Sequence, residues 1–235
     1  MNGLLVRVGI DSTDGCWNAP IRLASGEFAY VTITDTKPLR DGMARRYDEF
    51  VPVAKRFGEQ LPPELLGTPT HLDPDFDQLT YGDQGQRGTR ITSLLTAGDL
   101  LAFFAALLPK DGPERPLIYA LIGLYVIEKI VPAKSVPKSR WAENAHTRRE
   151  PGDGDIVVRA KPEVSGRLRR CIPIGELRAG AYRVRKDLLD AWGELDINDG
   201  YIQRSVRLPA FRDTARFYRW FLAQKPELLA ENNPA

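Results

Sequence analysis

The chain has 235 residues, 43% hydrophobic and 27% charged, with a formal net charge of +2, which is ordinary for a globular protein long enough to bury a real core. Its two cysteines, Cys16 and Cys171, fit neither a disulfide framework nor a zinc spacing, and its two histidines do not by themselves suggest a metal cluster. The small net charge hides a split: Lys138 to Trp220 carries 18 Lys/Arg against 12 Asp/Glu, and Met1 to Pro137 carries 14 against 17. A basic second half suits a polyanion partner or a solvated surface equally well.

Taken in order, Leu4–Ile10 (LLVRVGI) reads as a first strand. Arg7 and Asp11 stand where a signal peptide would be apolar, so a cytoplasmic protein with reduced thiols is expected. After the strand, Asp11 and Asn18 either hold a ligand or metal or cap the turn through side-chain to backbone hydrogen bonds. Phe28–Thr34 reads as a second strand, and Tyr47–Phe57 as a short helix disturbed by Pro52. From Gly67 to Arg90 little apolar periodicity is visible, which predicts a long loop; such loops are uncommon without a function. Asp73, Asp75 and Asp83 in it are candidate ligands for a hard cation such as Mg²⁺, although the full calcium-loop pattern is missing and turn-forming carboxylates are the alternative. Tyr81 and Arg87 of the same stretch are candidate ligand contacts.

The centre of the chain is a Gly98-Asp99 turn, an apolar run Leu100–Leu108, a Pro/Gly-rich loop, and a second apolar run Leu117–Val131 with Gly123 inside it. This predicts a β-hairpin buried on most of both faces, with a bend or bulge at Gly123. The second run is only about 15 residues and ends in Glu128 and Lys129, short of the roughly 20 apolar residues a spanning helix needs.

After a Pro/Lys/Ser linker, Trp141, Asn144, His146, Arg148 and Arg149 form the densest polar cluster. These groups can stack on a base, bond its edge and pair with phosphate, so binding is favoured here over catalysis. Asp155–Arg159 reads as a strand, and Ser165–Arg170 as a turn into a basic helical turn. That turn, with Ser165 and Arg167, either offers an anion site at a helix N-terminus or is a capped, solvated face. Tyr182–Trp192 leads into a helix stopped by Gly193. Arg204 and Ser205 follow the Asp199-Gly200-Tyr201 turn as further candidate contacts. Ala215–Leu222 is an amphipathic helix with its aromatics inward, and the tail from Pro226 is expected to fray. The elements add up to an α+β fold with a mixed or antiparallel sheet. It is read as one domain over residues 1–235, with a β-rich core to about residue 131 and a basic α+β segment, about 138–225, packed on it.

Several segments resemble the nucleotide modification associated domain 3 family. They are Arg7–Asp11 with Gly15–Pro20, His71–Asp83, the Gly98-Asp99 hairpin, Glu143–Arg149, Ser165–Gly175, Asp199–Ser205 and Arg216–Phe221. The resemblance implies work on or beside modified bases in DNA, within modification or defence systems, and brings no established reaction. The Gly98-Asp99 turn and the following strands are also similar in order to PUA-like folds of the EVE and ASCH type. That similarity implies a small β-barrel core with flanking helices, long functional loops and a pocket for a flipped or modified base.

Two functions stay open on this reading. In a modified-base binding module, Trp141, Asn144 and His146 face the base while Arg148, Arg149, Arg167 and Arg204 face phosphates of DNA or a nucleotide. In a metal-dependent nuclease or base-modifying enzyme, Asp11, Asp73, Asp75 and Asp83 hold Mg²⁺ and His146 is the acid or base. Walker, dinucleotide and Gly-x-Ser-x-Gly motifs are missing from the sequence, which disfavours ATP hydrolysis, nicotinamide chemistry and a serine nucleophile.

Overall fold

The computed structural model describes residues 1–11, 17–111, 116–203 and 208–234. In chain order they form β1 (Gly3–Arg7), β2 (Pro20–Arg22), β3 (Glu27–Phe28), α1 (Val51–Arg56), β4 (Thr80–Asp83), α2 (Gly85–Leu94), β5 (Leu100–Pro109) and β6 (Ile118–Pro132). Then come β7 (Ile156–Ala160), β8 (Gly166–Pro173), β9 (Gly175–Arg178), β10 (Ala181–Val184), α3 (Lys186–Trp192), α4 (Thr214–Ala223) and β11 (Leu228–Leu229).

The β5–β6 hairpin is the spine. Along β5 the side chains alternate between two apolar layers: Leu101, Phe103, Ala105 and Leu107 enter one, Leu100, Ala102, Phe104 and Ala106 the other. That is the period-two pattern of a strand covered on both faces. On β6 the alternation slips at Gly123, where the register against β5 also shifts between Phe103 and Phe104. A side chain at Gly123 would stand 2.6 Å from the Phe76 ring and 2.9 Å from Gly166 O, so the close packing of ring and neighbouring strand excludes one there.

With 15 residues, β6 is long enough to pair twice on its outer edge, with β8 through Ala120–Leu124 and with β7 through Ile127–Pro132, both antiparallel. On the other side, β5 takes β1 and β2 in parallel. The ladder runs β11-β8-β6-β5-β2-β3, with β1 on β5 and β4 reached through β7. It is a mostly antiparallel sheet in a mixed α+β fold. One apolar layer is covered by α3 and α4, through Leu188, Leu189, Trp192, Phe217 and Phe221. The other lies under Tyr47, Phe50, Phe57, Leu72, Phe76 and Tyr81. Among the described residues, no helix is long and apolar enough to cross a membrane.

Several expectations are corrected. Of the expected strand Phe28–Thr34 only Phe28 joins a ladder, in β3; Ala29, Tyr30 and Val31 run on buried, tied through single bonds such as Ile10 N to Val31 O at 2.8 Å, and Thr34 makes an isolated bridge to Thr70. Pro52 does not disturb its helix but sits in the first turn of α1, where no N–H is needed. The loop from Gly67 to Arg90 contains β4 and most of α2. Both were hidden because α2 buries little beyond Gly88 and Ile91, and β4 gains its order by pairing with β7. Ser165–Arg170 is not a helical turn: residues 166–173 form β8 between β6 and β11, so no helix N-terminus exists there. The tail does not fray. β11 pairs with β8, and Asn232 is buried, accepting from Phe76 N at 2.8 Å and donating to Asp75 at 2.9 Å.

Candidate metal centre

Beyond the end of β1 lies a cavity of about 230 Å³, walled by Arg7 to Gly9 and Asp11, by Tyr81 to Gln84 with Arg87, and by His71, Asp73 and His146. The pairing of β4 with β7 builds it. Thr80 to Asp83 are held opposite Arg159 to Ile156, which sets Gly82 against the segment carrying Asn144 and His146.

Asp73, 8% exposed, accepts the backbone N–H of Gly82 on both oxygens at 2.8 Å and the Asn144 amide at 3.2 Å. Asn144 also accepts the backbone N–H of His146 at 2.9 Å, so one side chain positions both groups. Oδ2 of Asp73 lies 3.6 Å from Nε2 of His146 and 3.8 Å from Nε2 of His71. Behind each ring stands another carboxylate: Asp155 Oδ2 at 3.0 Å from Nδ1 of His146, and Asp35 Oδ2 at 3.0 Å from Nδ1 of His71. A carboxylate is an obligate acceptor, so it fixes the proton on each Nδ1 and leaves each Nε2 lone pair facing Asp73. Arg149 also approaches Nδ1 of His146, at 3.2 Å, but its charge is met by Asp155 at 3.6 Å and Asp35 at 3.5 Å.

The electrostatics follow from burial. Desolvation pushes the Asp73 carboxyl well above the usual range, with Asp83 and Asp75 adding to the rise, while the Gly82 and Asn144 bonds oppose it. Among the described residues no Lys or Arg pairs with Asp73. Desolvation also lowers the His146 imidazole, which keeps it neutral. Burial alone would raise Asp155, but its hydrogen bonds to His146 and the Gly152 backbone and the charge of Arg149 outweigh this and hold it at about 2. Asp35 is likewise lowered: burial is outweighed by its hydrogen bonds to His71 and the Lys37 backbone and by the nearby Arg149 guanidinium.

The three donor atoms of His71, Asp73 and His146 lie within 4.8 Å of one another. Donors about 2.0–2.1 Å from a tetrahedral ion stand roughly 3.3 Å apart, so small side-chain adjustments would close the set on an ion. Two imidazoles, one carboxylate and a carboxylate behind each ring are a donor set suited to a transition metal or zinc.

The family model of nucleotide modification associated domain 3 matches residues 2–202. The chain belongs to that family. Every residue of the proposed donor set lies within the matched span, while the Arg216–Phe221 segment lies beyond it. No curated protein and no solved structure matches the chain.

In this family member the other sequence candidates are placed as follows. Asp11 lines the cavity and is paired with Arg7. Tyr81, Asp83 and Arg87 also line it and bond one another, Arg87 Nε to Asp83 at 2.9 Å and Arg87 Nη2 to the Tyr81 hydroxyl at 2.9 Å. Asp75 is turned away, fully buried against Arg148 and Asn232. Asn18 donates to Ala106 O at 3.2 Å, outside the cavity. Trp141 donates to Val136 O at 3.1 Å and lies under the Arg40 guanidinium, 3.5 Å from the ring centre. Arg148 and Arg149 are buried in internal ion pairs, and Ser165 accepts from Val126 N at 2.9 Å within the sheet. Arg167 is buried elsewhere, over the Phe28 ring. Arg204 and Ser205 lie outside the described residues. Of the carboxylates expected to meet His146, Asp73 does so and Asp75 does not. The sequence alone did not reveal His71 as a partner, nor Asp35 and Asp155. The one local signal was His71 standing two residues before Asp73 in a stretch rich in polar groups.

Proposed function

We propose that this protein is a metal-dependent enzyme acting on a nucleotide or a nucleic-acid base, with His71, Asp73 and His146 holding the metal. The carrying observation is the carboxylate 3.0 Å behind each imidazole, which leaves two Nε2 atoms aimed at one buried carboxylate. Imidazole donors favour zinc, iron or manganese over Mg²⁺, which prefers oxygen ligands and bound water. A bound ion would supply Lewis acidity beside the cavity and the counter-charge that buried Asp73 lacks. Tyr81, Asp83 and Arg87 form the facing wall, a bonded group that can hydrogen-bond a base edge or a phosphate.

A pure binding module would use the same cavity, but it gives no reason for a carboxylate behind each histidine. A PUA-like core finds support where β3 closes toward β8 through the bond from Cys171 N to Gly26 O at 2.9 Å, although the strand ladder itself stays open. The test is to incubate the protein, loaded with Zn²⁺, Fe²⁺ or Mn²⁺, with nucleotides and with single- and double-stranded DNA, and to weigh the digested nucleosides by mass spectrometry. A metal-dependent mass change that is lost in His146→Ala supports the proposal. Identical nucleosides with and without the protein, under every metal, defeat it.

A further inference from the structure

A second cleft of about 210 Å³ shares no residue with the metal cavity and is built of cations and aromatic rings. Arg22, Arg56, Arg167 and Arg169 line it together with Phe28, Phe57 and Glu27. Arg167 is the unusual member. It is only 2% exposed, its guanidinium lies 3.8 Å from the Phe28 ring centre, and it donates to backbone carbonyls alone, Leu168 O at 3.0 Å and Phe28 O at 2.6 Å. Its Nε has no hydrogen-bond partner. A buried cation normally sits against a carboxylate. Of the acids near the cleft, Glu27 pairs with Arg22 at 3.2 Å and Glu227 with Arg169 at 2.7 Å, and Glu231 acts on Arg167 only from beyond ion-pair distance. Among the described residues neither Arg167 nor Arg56 has an ion-pair partner. Burial pulls Arg167 down to about 9, with the charges of Arg56 and Arg169 adding to the fall and Cys171 and Glu231 opposing it.

We propose that this cleft is a phosphate site separate from the metal centre, taking one phosphate of a nucleotide or of a nucleic-acid backbone. A phosphate would bring the negative charge that Arg167 and Arg56 lack, and clustered guanidiniums match its oxygens with forked N–H pairs. The two phenylalanines, each already under a guanidinium (Arg167 over Phe28, Arg22 over Phe57), form an apolar wall that holds those cations in place.

Arg56 and Arg169 are exposed, so replacing them by glutamine should leave the fold intact. Binding of a fluorescein-labelled 12-residue single-stranded DNA, of dAMP and of inorganic phosphate is measured for the wild type, Arg56→Gln, Arg169→Gln and Arg167→Lys over a range of salt. Each variant is expected to bind about 5–10-fold more weakly; the DNA salt slope is expected to fall by roughly one in the glutamine variants, which remove a charge, and to stay in Arg167→Lys, which keeps it. Weakened dAMP and phosphate binding would identify a nucleotide phosphate as the ligand. Loss confined to the DNA would identify a backbone phosphate. All binding is measured on chelator-treated protein, and inorganic phosphate, which has no base for the metal cavity to hold, is the arm that separates this site from the metal centre. Unchanged affinities for inorganic phosphate and DNA, with unchanged salt slopes, in both glutamine variants would overturn the proposal.

Discussion

Asp155 holds the Nδ1 face of His146 at 3.0 Å, while the opposite face of the same ring looks onto Asp73 at 3.6 Å. The ring is thus oriented from behind by a group that cannot itself reach an ion on the other side. Replacing Asp155 with Asn removes the obligate acceptor that selects the tautomer without emptying the space. Zinc affinity, read by calorimetric titration, is expected to fall about 10–100-fold, the usual effect of losing such an outer partner. The circular dichroism spectrum should be unchanged.

Gly82 is the narrowest point of the site. A methyl group there would stand 2.3 Å from Cδ2 of His146 and 2.5 Å from Oδ1 of Asn144, with no room on either side. Gly82→Ala should displace the imidazole and lower stability by about 1–3 kcal/mol, as overpacking does. Urea denaturation and a metal titration on the same sample check both effects. Full retention of metal affinity would show that the position of His146 does not matter.

The C-terminal tail supports the loop that carries Asp73. Asn232 accepts from Phe76 N at 2.8 Å and donates to Asp75 at 2.9 Å, all in the interior. Asn232→Ala leaves a buried N–H without its acceptor, which costs about 1–3 kcal/mol. A lower thermal midpoint is expected, measured by calorimetry. An unchanged midpoint would mean that the tail is only laid against the surface.

Cys171 gives a prediction with a pH sign. Burial pushes its thiol up from 9.0 to about 12, with Arg167 opposing. The unfolded chain therefore releases this proton first, so the contribution of Cys171 to stability is complete below about pH 9 and is lost as pH rises toward 12. In a Cys16→Ser background, iodoacetamide at pH 8.5 should label Cys171 in the folded protein roughly a thousandfold more slowly than after denaturation, following the thiolate fraction. Equal rates would contradict the burial of this thiol.

The hairpin could be read from the sequence because β5 and β6 are apolar on both faces and Gly123 marks its own bulge. The amphipathic helix α4 could be read for the same reason, with Phe217 and Phe221 at helical spacing. The site could not. His71 and His146 lie in irregular segments far apart in the chain, and they meet only because β4 pairs with β7, two short strands with no strong pattern of their own. Counting histidines one by one therefore missed them as a pair. Asp75 shows the reverse error: in sequence it looks equivalent to Asp73, yet Arg148 and Asn232 neutralise it in the core. The buried arginines misled similarly, since charge in a sequence suggests solvent or phosphate, and Arg148 and Arg149 instead pair within the fold.

The most direct measurement is metal content and affinity in the wild type against His71→Ala and His146→Ala, by elemental analysis after purification without chelator and by titration of the chelated protein with Zn²⁺, Fe²⁺ and Mn²⁺. The account predicts one ion per chain in the wild type and a loss of at least about 100-fold in affinity in each variant, given that each removes one of three protein ligands. No stoichiometric ion in the wild type, or an equal affinity in all three proteins, would contradict it.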